Sequence, residues 1–160
     1  MKAVTVSVLK KELKDHSHQE LMEICLKLAK FKKENKELLT YLLFDSHDED
    51  AYIQSVQEET DEAFSKLNHD SLYYVKKSTR KILRTLKKYI RYSKKKETEA
   101  AILLHFCAKL KELKPRHQKS IQMMNIYERQ LAMAKKAIKT LHEDLQYDFT
   151  LDLEELGEEL

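Results

Sequence analysis

The sequence predicts an all-α fold of six to seven helices, arranged as an antiparallel bundle or a short α-solenoid. Three observations predict it. The chain holds one glycine, Gly157, and one proline, Pro115, whereas tight turns and hairpins draw on these residues for their backbone angles. Lys, Glu and Leu, all good helix formers, are abundant throughout. Apolar residues recur at steps of three and four along the length. A chain of 160 residues, 42% of them hydrophobic, is long enough to bury a core. The expected organisation is a single helical domain over 1–147 and an acidic C-terminal tail over 148–160.

The elements follow in order. Val4, Val6 and Val8 alternate in a short arm, and a brief helix follows around 8–14. "SHQE" at Ser17–Glu20 has the form of a capping box: the serine hydroxyl satisfies a free N–H and the glutamate reaches back to the cap. Leu21, Ile24, Cys25, Leu28 and Phe31 come next at helical spacing, and Leu38, Leu39, Leu42 and Phe44 extend the pattern. The stretch 18–44 suits one helix or two broken near Lys32–Lys36; two fits better. "SHDE" at Ser46–Glu49 repeats the capping signature before a helix with Ile53, Val56, Ala63, Phe64 and Leu67 on one side. Asp70 is the expected cap of a helix over 71–92, and Ser93 that of the next. This next helix carries "AAILLHFCA" at 100–108, apolar nearly all round, which marks the most buried element. Pro115 suits the first turn of a further helix, predicted to be long, over 116–146. Its stripe of Leu131, Ala134, Ile138, Leu141 and Leu145 offers a surface for a second copy of the chain. Two heptads are too few for a coiled coil, so packing on the chain's own core fits better.

Charge is segregated in blocks. Residues 45–62 hold eight acidic residues and no Lys or Arg; residues 63–141 hold 21 basic and 5 acidic residues; residues 143–160 hold eight acidic residues and no Lys or Arg. The formal net charge of +3 hides this. No run approaches the roughly 18 apolar residues of a membrane span, and the opening "MKAVTVSVLKK" is too short in apolar length for a signal peptide. Cys25 and Cys107 both lie in apolar stretches, as buried reduced thiols would. The expected setting is cytoplasmic, with no membrane partner.

Several chemistries lack their signatures. With one glycine there is no phosphate-cradling loop and no dinucleotide fingerprint, nor a nucleophile elbow. Paired-cysteine zinc motifs and the Glu-x-x-His pairs of di-iron bundles are absent as well. His105 and Cys107 lie two apart on a helix and so point about 200° from each other, which suits a core histidine and a buried thiol rather than shared metal ligands. No catalytic residue, metal ligand or cofactor is therefore expected, and the chain reads as a non-enzymatic interaction module.

Its expected working surface is the segment "KKSTRKILRTLKKYIRYSKKK" at 76–96, in which eleven of twenty-one residues are Lys or Arg and none is acidic. Val75, Thr79, Ile82, Leu83, Leu86 and Ile90 form an apolar stripe for the core. Lys76, Lys77, Arg80, Lys81, Arg84, Lys87, Lys88, Arg91, Lys94, Lys95 and Lys96 are left to meet water or an anion. The expected partner is an acidic protein; the alternative is sequence-independent contact with nucleic acid or another polyanion through phosphates. Arg116 and Lys119 are expected to support the same face. Tyr73, Tyr74, Tyr89 and Tyr92 could stack on bases, although filling helix interfaces is the more ordinary use. The acidic blocks at 45–62 and 143–160 are the rival explanation, since they could cover the basic helix from within.

The stretches "LKKELKDHSHQELMEICLKLAKFKKENKELLTYLLF" (9–44) and "ILRTLKKYIRYSKKKETEAAILLHFCAKL" (82–110) resemble small all-helical bacterial proteins grouped only as a domain of unknown function. The resemblance implies a helical fold and no particular chemistry.

Overall fold

A computed structural model describes residues 1–160, which form nine α-helices and no strand. They are α1 (Val6–Leu13), α2 (His18–Phe31), α3 (Lys33–Thr40), α4 (Glu49–Ser65), α5 (Leu72–Ser93), α6 (Lys96–Lys111), α7 (Pro115–Gln118), α8 (Ile121–Ile138) and α9 (Glu143–Glu155), with a π-helical turn, Tyr41–Asp45, between α3 and α4. The all-α class is as expected. The count exceeds six to seven because short polar breaks divide the chain more finely than hydropathy indicates. In place of one domain over 1–147 there are two compact units, Met1–Phe44 and Asp45–Leu160. No helix is long and apolar enough to cross a membrane.

In the first unit the expected capping box forms. Ser17 Oγ accepts from the Glu20 N–H at 3.2 Å, and a Glu20 carboxylate oxygen accepts from the Ser17 N–H at 2.7 Å. The Ser17 N–H, and after it the Ser17 hydroxyl, holds the Glu20 carboxyl below its ordinary pKa. Residues 18–40 are two helices, because Lys32 takes an extended conformation (φ −142°, ψ 147°). The Asn35 amide donates to the Leu28 carbonyl at 2.8 Å across that break. None of α1, α2 and α3 contains a buried residue. Cys25, expected to be buried, is exposed.

The second unit is organised by α6. Ile102, Leu103, Phe106 and Cys107 are fully buried, and α6 packs against α4, α5, α8 and α9. A helix apolar on most sides can serve several neighbours at once. Phe106 meets Phe64 of α4 edge-on, with centroids 5.7 Å apart. On another side, Leu103, Leu104 and Cys107 join Leu131, Ala134, Ala137 and Ile138 of α8 in one cluster with Phe149, Leu153 and Leu156.

Several boundaries differ from expectation. Asp48, not Ser46, caps α4 and accepts from the Ala51 N–H at 3.0 Å. Ser71, not Asp70, caps α5. Ser93 ends α5 instead of capping α6, whose N-cap, Lys95, has no side-chain cap bond. The long helix over 116–146 does not form: Ser120 caps α8 and His142 caps α9, and each side-chain bond starts a new helix. The stripe of Leu131, Ala134 and Ile138 is already buried in the core. Residues 148–160 are no free tail; Phe149, Leu153 and Leu156 are buried, because their spacing of four and three aligns them on one face of α9.

Candidate polyanion-binding face

α5 has two faces. Val75, Thr79 and Leu86 are buried and Ile82, Leu83 and Ile90 half-buried, so the apolar stripe packs inward as the spacing predicts. Opposite it, Lys77, Arg80, Lys81, Arg84, Lys88 and Arg91 recur at helical spacing. All of these are exposed except Lys88, which is half-buried. From 77 to 91 the stripe extends about 21 Å at 1.5 Å per residue. Lys76 and Lys87 lie half-buried on its flank. Past its C-terminal end, Lys94 takes a left-handed conformation (φ 60°) and its N–H bonds the Ile90 carbonyl at 2.9 Å. That turn sets Lys94 at the C-terminal end of α5, where the helix dipole favours a cation, while Lys95 and Lys96 open α6.

The acidic blocks do not cover this stripe. On α4, Glu49 accepts from Ser93 and Thr98 and pairs with Lys95 at 2.9 Å. Glu59 accepts from the Tyr89 hydroxyl at 3.0 Å, and Glu62 pairs with Lys66 of its own chain segment. Asp61 faces α6, meeting His105 Nε2 at 2.8 Å and Lys109 at 3.5 Å. Near the end of the chain, Glu158 pairs with Lys135 on α8. Lys96 pairs with Glu99. Lys76, Lys77, Arg80, Lys81, Arg84, Lys87, Arg91 and Lys94 form no ion pair.

The tyrosines divide. Tyr89 ties α5 to α4, accepting at its carbonyl from the Tyr52 hydroxyl at 3.1 Å and donating its own hydroxyl to Glu59, and it sits beside Tyr92, with centroids 6.1 Å apart. Tyr73 and Tyr74 are 61% and 47% exposed and stack edge-on, 5.4 Å apart, at the N-terminal end of the basic stripe. Arg116 does not support the face: its guanidinium donates to the His69 carbonyl at 2.7 Å and its Nε lies 3.4 Å from His117. Lys119 is exposed. His105 is held by Asp61, while Cys107 is buried beneath the Tyr127 carbonyl, so the two point apart. Burial pushes the Cys107 thiol up to about 12.

Sequence reasoning missed Arg129. A groove of about 350 Å³ between α5 and α8 is lined by Arg80 and Lys87 on one side and by Gln122, Asn125 and Arg129 on the other, with no acidic residue. Gln130 lines it too, 1% exposed, its Oε1 without a hydrogen-bond partner. The signal for Arg129 was a polar Gln122–Asn125–Arg129 spacing on α8, but only tertiary packing brings it beside α5. The α5–α4 groove is mixed in charge, with Glu59 beside Lys66 and Lys81. The cationic field therefore widens toward α8. No family model matches the chain, and no curated protein or solved structure matches it.

Proposed function

We propose that the chain is a helical binding module, not an enzyme, and that the outer face of α5 takes an acidic protein partner. One observation carries the reading: Lys77, Arg80, Lys81, Arg84 and Arg91 are exposed along one line and form no ion pair with the acidic blocks, of which Asp61 and Glu158 pair with α6 and α8. A core-anchored helix needs no backbone ordering when an acidic surface docks, and its row of cations favours both encounter rate and register. Tyr73 and Tyr74 add flat, amphipathic contact area at one end. The same exposed pair also favours a second reading, sequence-independent binding of single-stranded nucleic acid, with bases stacked on the rings.

A titration separates the two. Fluorescence anisotropy with a labelled acidic polypeptide and, in parallel, a mixed-sequence oligonucleotide is run over a salt series. The protein-partner reading expects saturable polypeptide binding that persists at physiological salt. Oligonucleotide binding that exceeds it and falls steeply with log salt supports the second reading. Absence of both at low salt overturns both.

A further inference from the structure

A separate feature lies away from the α5 stripe. A groove of about 470 Å³ runs between α6, α8 and the turn after α9. Its walls are mainly apolar: Leu110, Leu113, Met123, Met124, Tyr127 and Leu131. Along α8, from Met123 to Lys135, it extends about 18 Å. Gln118 and Glu128 also line it, and a polar cluster forms where the turn after α9 meets α8. Lys135 Nζ lies 3.6 Å from Glu158 Oε2, and the Tyr127 hydroxyl donates to Glu158 Oε1 at 3.1 Å. Lys111 donates to the Leu156 carbonyl and lies 5.3 Å over the Tyr127 ring. This is a head-and-tail arrangement, and its head already holds a carboxylate.

That carboxylate is placed by the chain's single glycine. Gly157 takes φ +70°, the Gly157 N–H bonds the Glu154 carbonyl at 2.8 Å and the Glu158 N–H bonds the Leu153 carbonyl at 2.9 Å. These are the two bonds of a Schellman motif. Nothing lies within 4 Å of a Cβ placed at Gly157, so the backbone angle is what requires glycine there. The motif ends α9 and turns Glu158 onto the groove rim.

We propose that this groove binds a single-chain alkyl carboxylate, its chain along Met123, Met124 and Leu131 and its carboxylate on Lys135 and Tyr127 in place of Glu158. Volume and a mainly apolar wall match a small-molecule site, and methionines adapt to a flexible chain. A carboxylate head is favoured because Lys135 and Tyr127 already hold one, the Glu158 side chain, and a single alkyl chain because the wall beside them is mainly apolar.

The test is calorimetric titration of the full chain with dodecanoate below its micelle concentration, with dodecanol and dodecylammonium as controls. Saturable binding of dodecanoate is expected, weakened about tenfold by Lys135→Gln, which removes one charge-assisted bond. Glu158→Gln is expected to tighten binding by about threefold or more, because the internal competitor loses its charge. Far-UV circular dichroism confirms that both variants fold. The proposal is overturned by no saturation, by equal affinity for dodecylammonium, by an unchanged affinity in Lys135→Gln, or by weaker binding in Glu158→Gln. Binding of an acidic amphipathic peptide but not of dodecanoate overturns it in favour of a protein partner. Because no residue of the α5 stripe lines this groove, its failure leaves the α5 reading standing, and the reverse.

Discussion

Met1–Phe44 and Asp45–Leu160 are built from similar material and come out differently. Both units carry amphipathic helices with side-chain caps. Yet α1 to α3 bury no residue, while α6 alone buries Ile102, Leu103, Leu104, Phe106, Cys107 and Leu110. The difference teaches that apolar periodicity is necessary for burial and insufficient for it. A stripe is buried only where facing stripes close round it. In Asp45–Leu160 a helix without a polar side supplies those faces; Met1–Phe44 has no such helix, and Leu26, Leu28 and Phe31 remain exposed.

The sharpest way to break this comparison is to truncate one apolar side chain in each unit. Phe106→Ala should destabilise the protein by about 3–5 kcal/mol in urea titration, whereas Leu26→Ala should change the main transition by under about 0.5 kcal/mol. Equal losses would mean that the first unit has a core after all. Caps sharpen it next. Ser120→Ala removes the α8 cap and should cost about 1 kcal/mol of that transition, while Ser17→Ala should lower helical signal and leave the midpoint in place. A titration gives the smallest effect. His117 is 2% exposed, and burial, then the Arg116 charge, holds its pKa below the ordinary value. The unfolded chain therefore binds a proton that the folded one refuses. Stability is full above about pH 6.5 and falls as pH drops from there toward the folded value. His117→Gln should flatten that slope in urea midpoints measured between neutral and mildly acidic pH.

The legible parts of the fold were those set by local chemistry. The capping box at Ser17, the buried "AAILLHFCA" and the inward stripe of α5 follow from spacing and side-chain type alone, whereas spacing left one helix or two open over 18–44 and the Lys32 backbone decides it. The illegible parts depended on tertiary context. Residues 148–160 looked like a tail because eight acidic residues in 143–160 outweigh the apolar ones, yet three apolar residues at helical spacing suffice once α6 and α8 offer a cluster to join. The long 116–146 helix was overdrawn because a serine and a histidine can each cap without any Gly or Pro to announce it. For the candidate face, every α5 cation was legible, but Arg129 was not, because its proximity to Arg80 comes from packing across two helices. Whether the acidic blocks mask the face was equally a tertiary question: Asp61 and Glu158 pair with α6 and α8, while Glu49 pairs with Lys95 just past the end of α5.

The central claim is that the outer face of α5 is a free anion-binding surface on a stable core. It is tested most directly by reversing Lys77, Lys81 and Arg84 together to Glu and titrating wild type and variant with the same labelled acidic polypeptide. The account predicts saturable wild-type binding, at least about tenfold weaker in the variant, with identical urea midpoints because none of the three side chains is buried or ion-paired. Equal binding by the two proteins would contradict it.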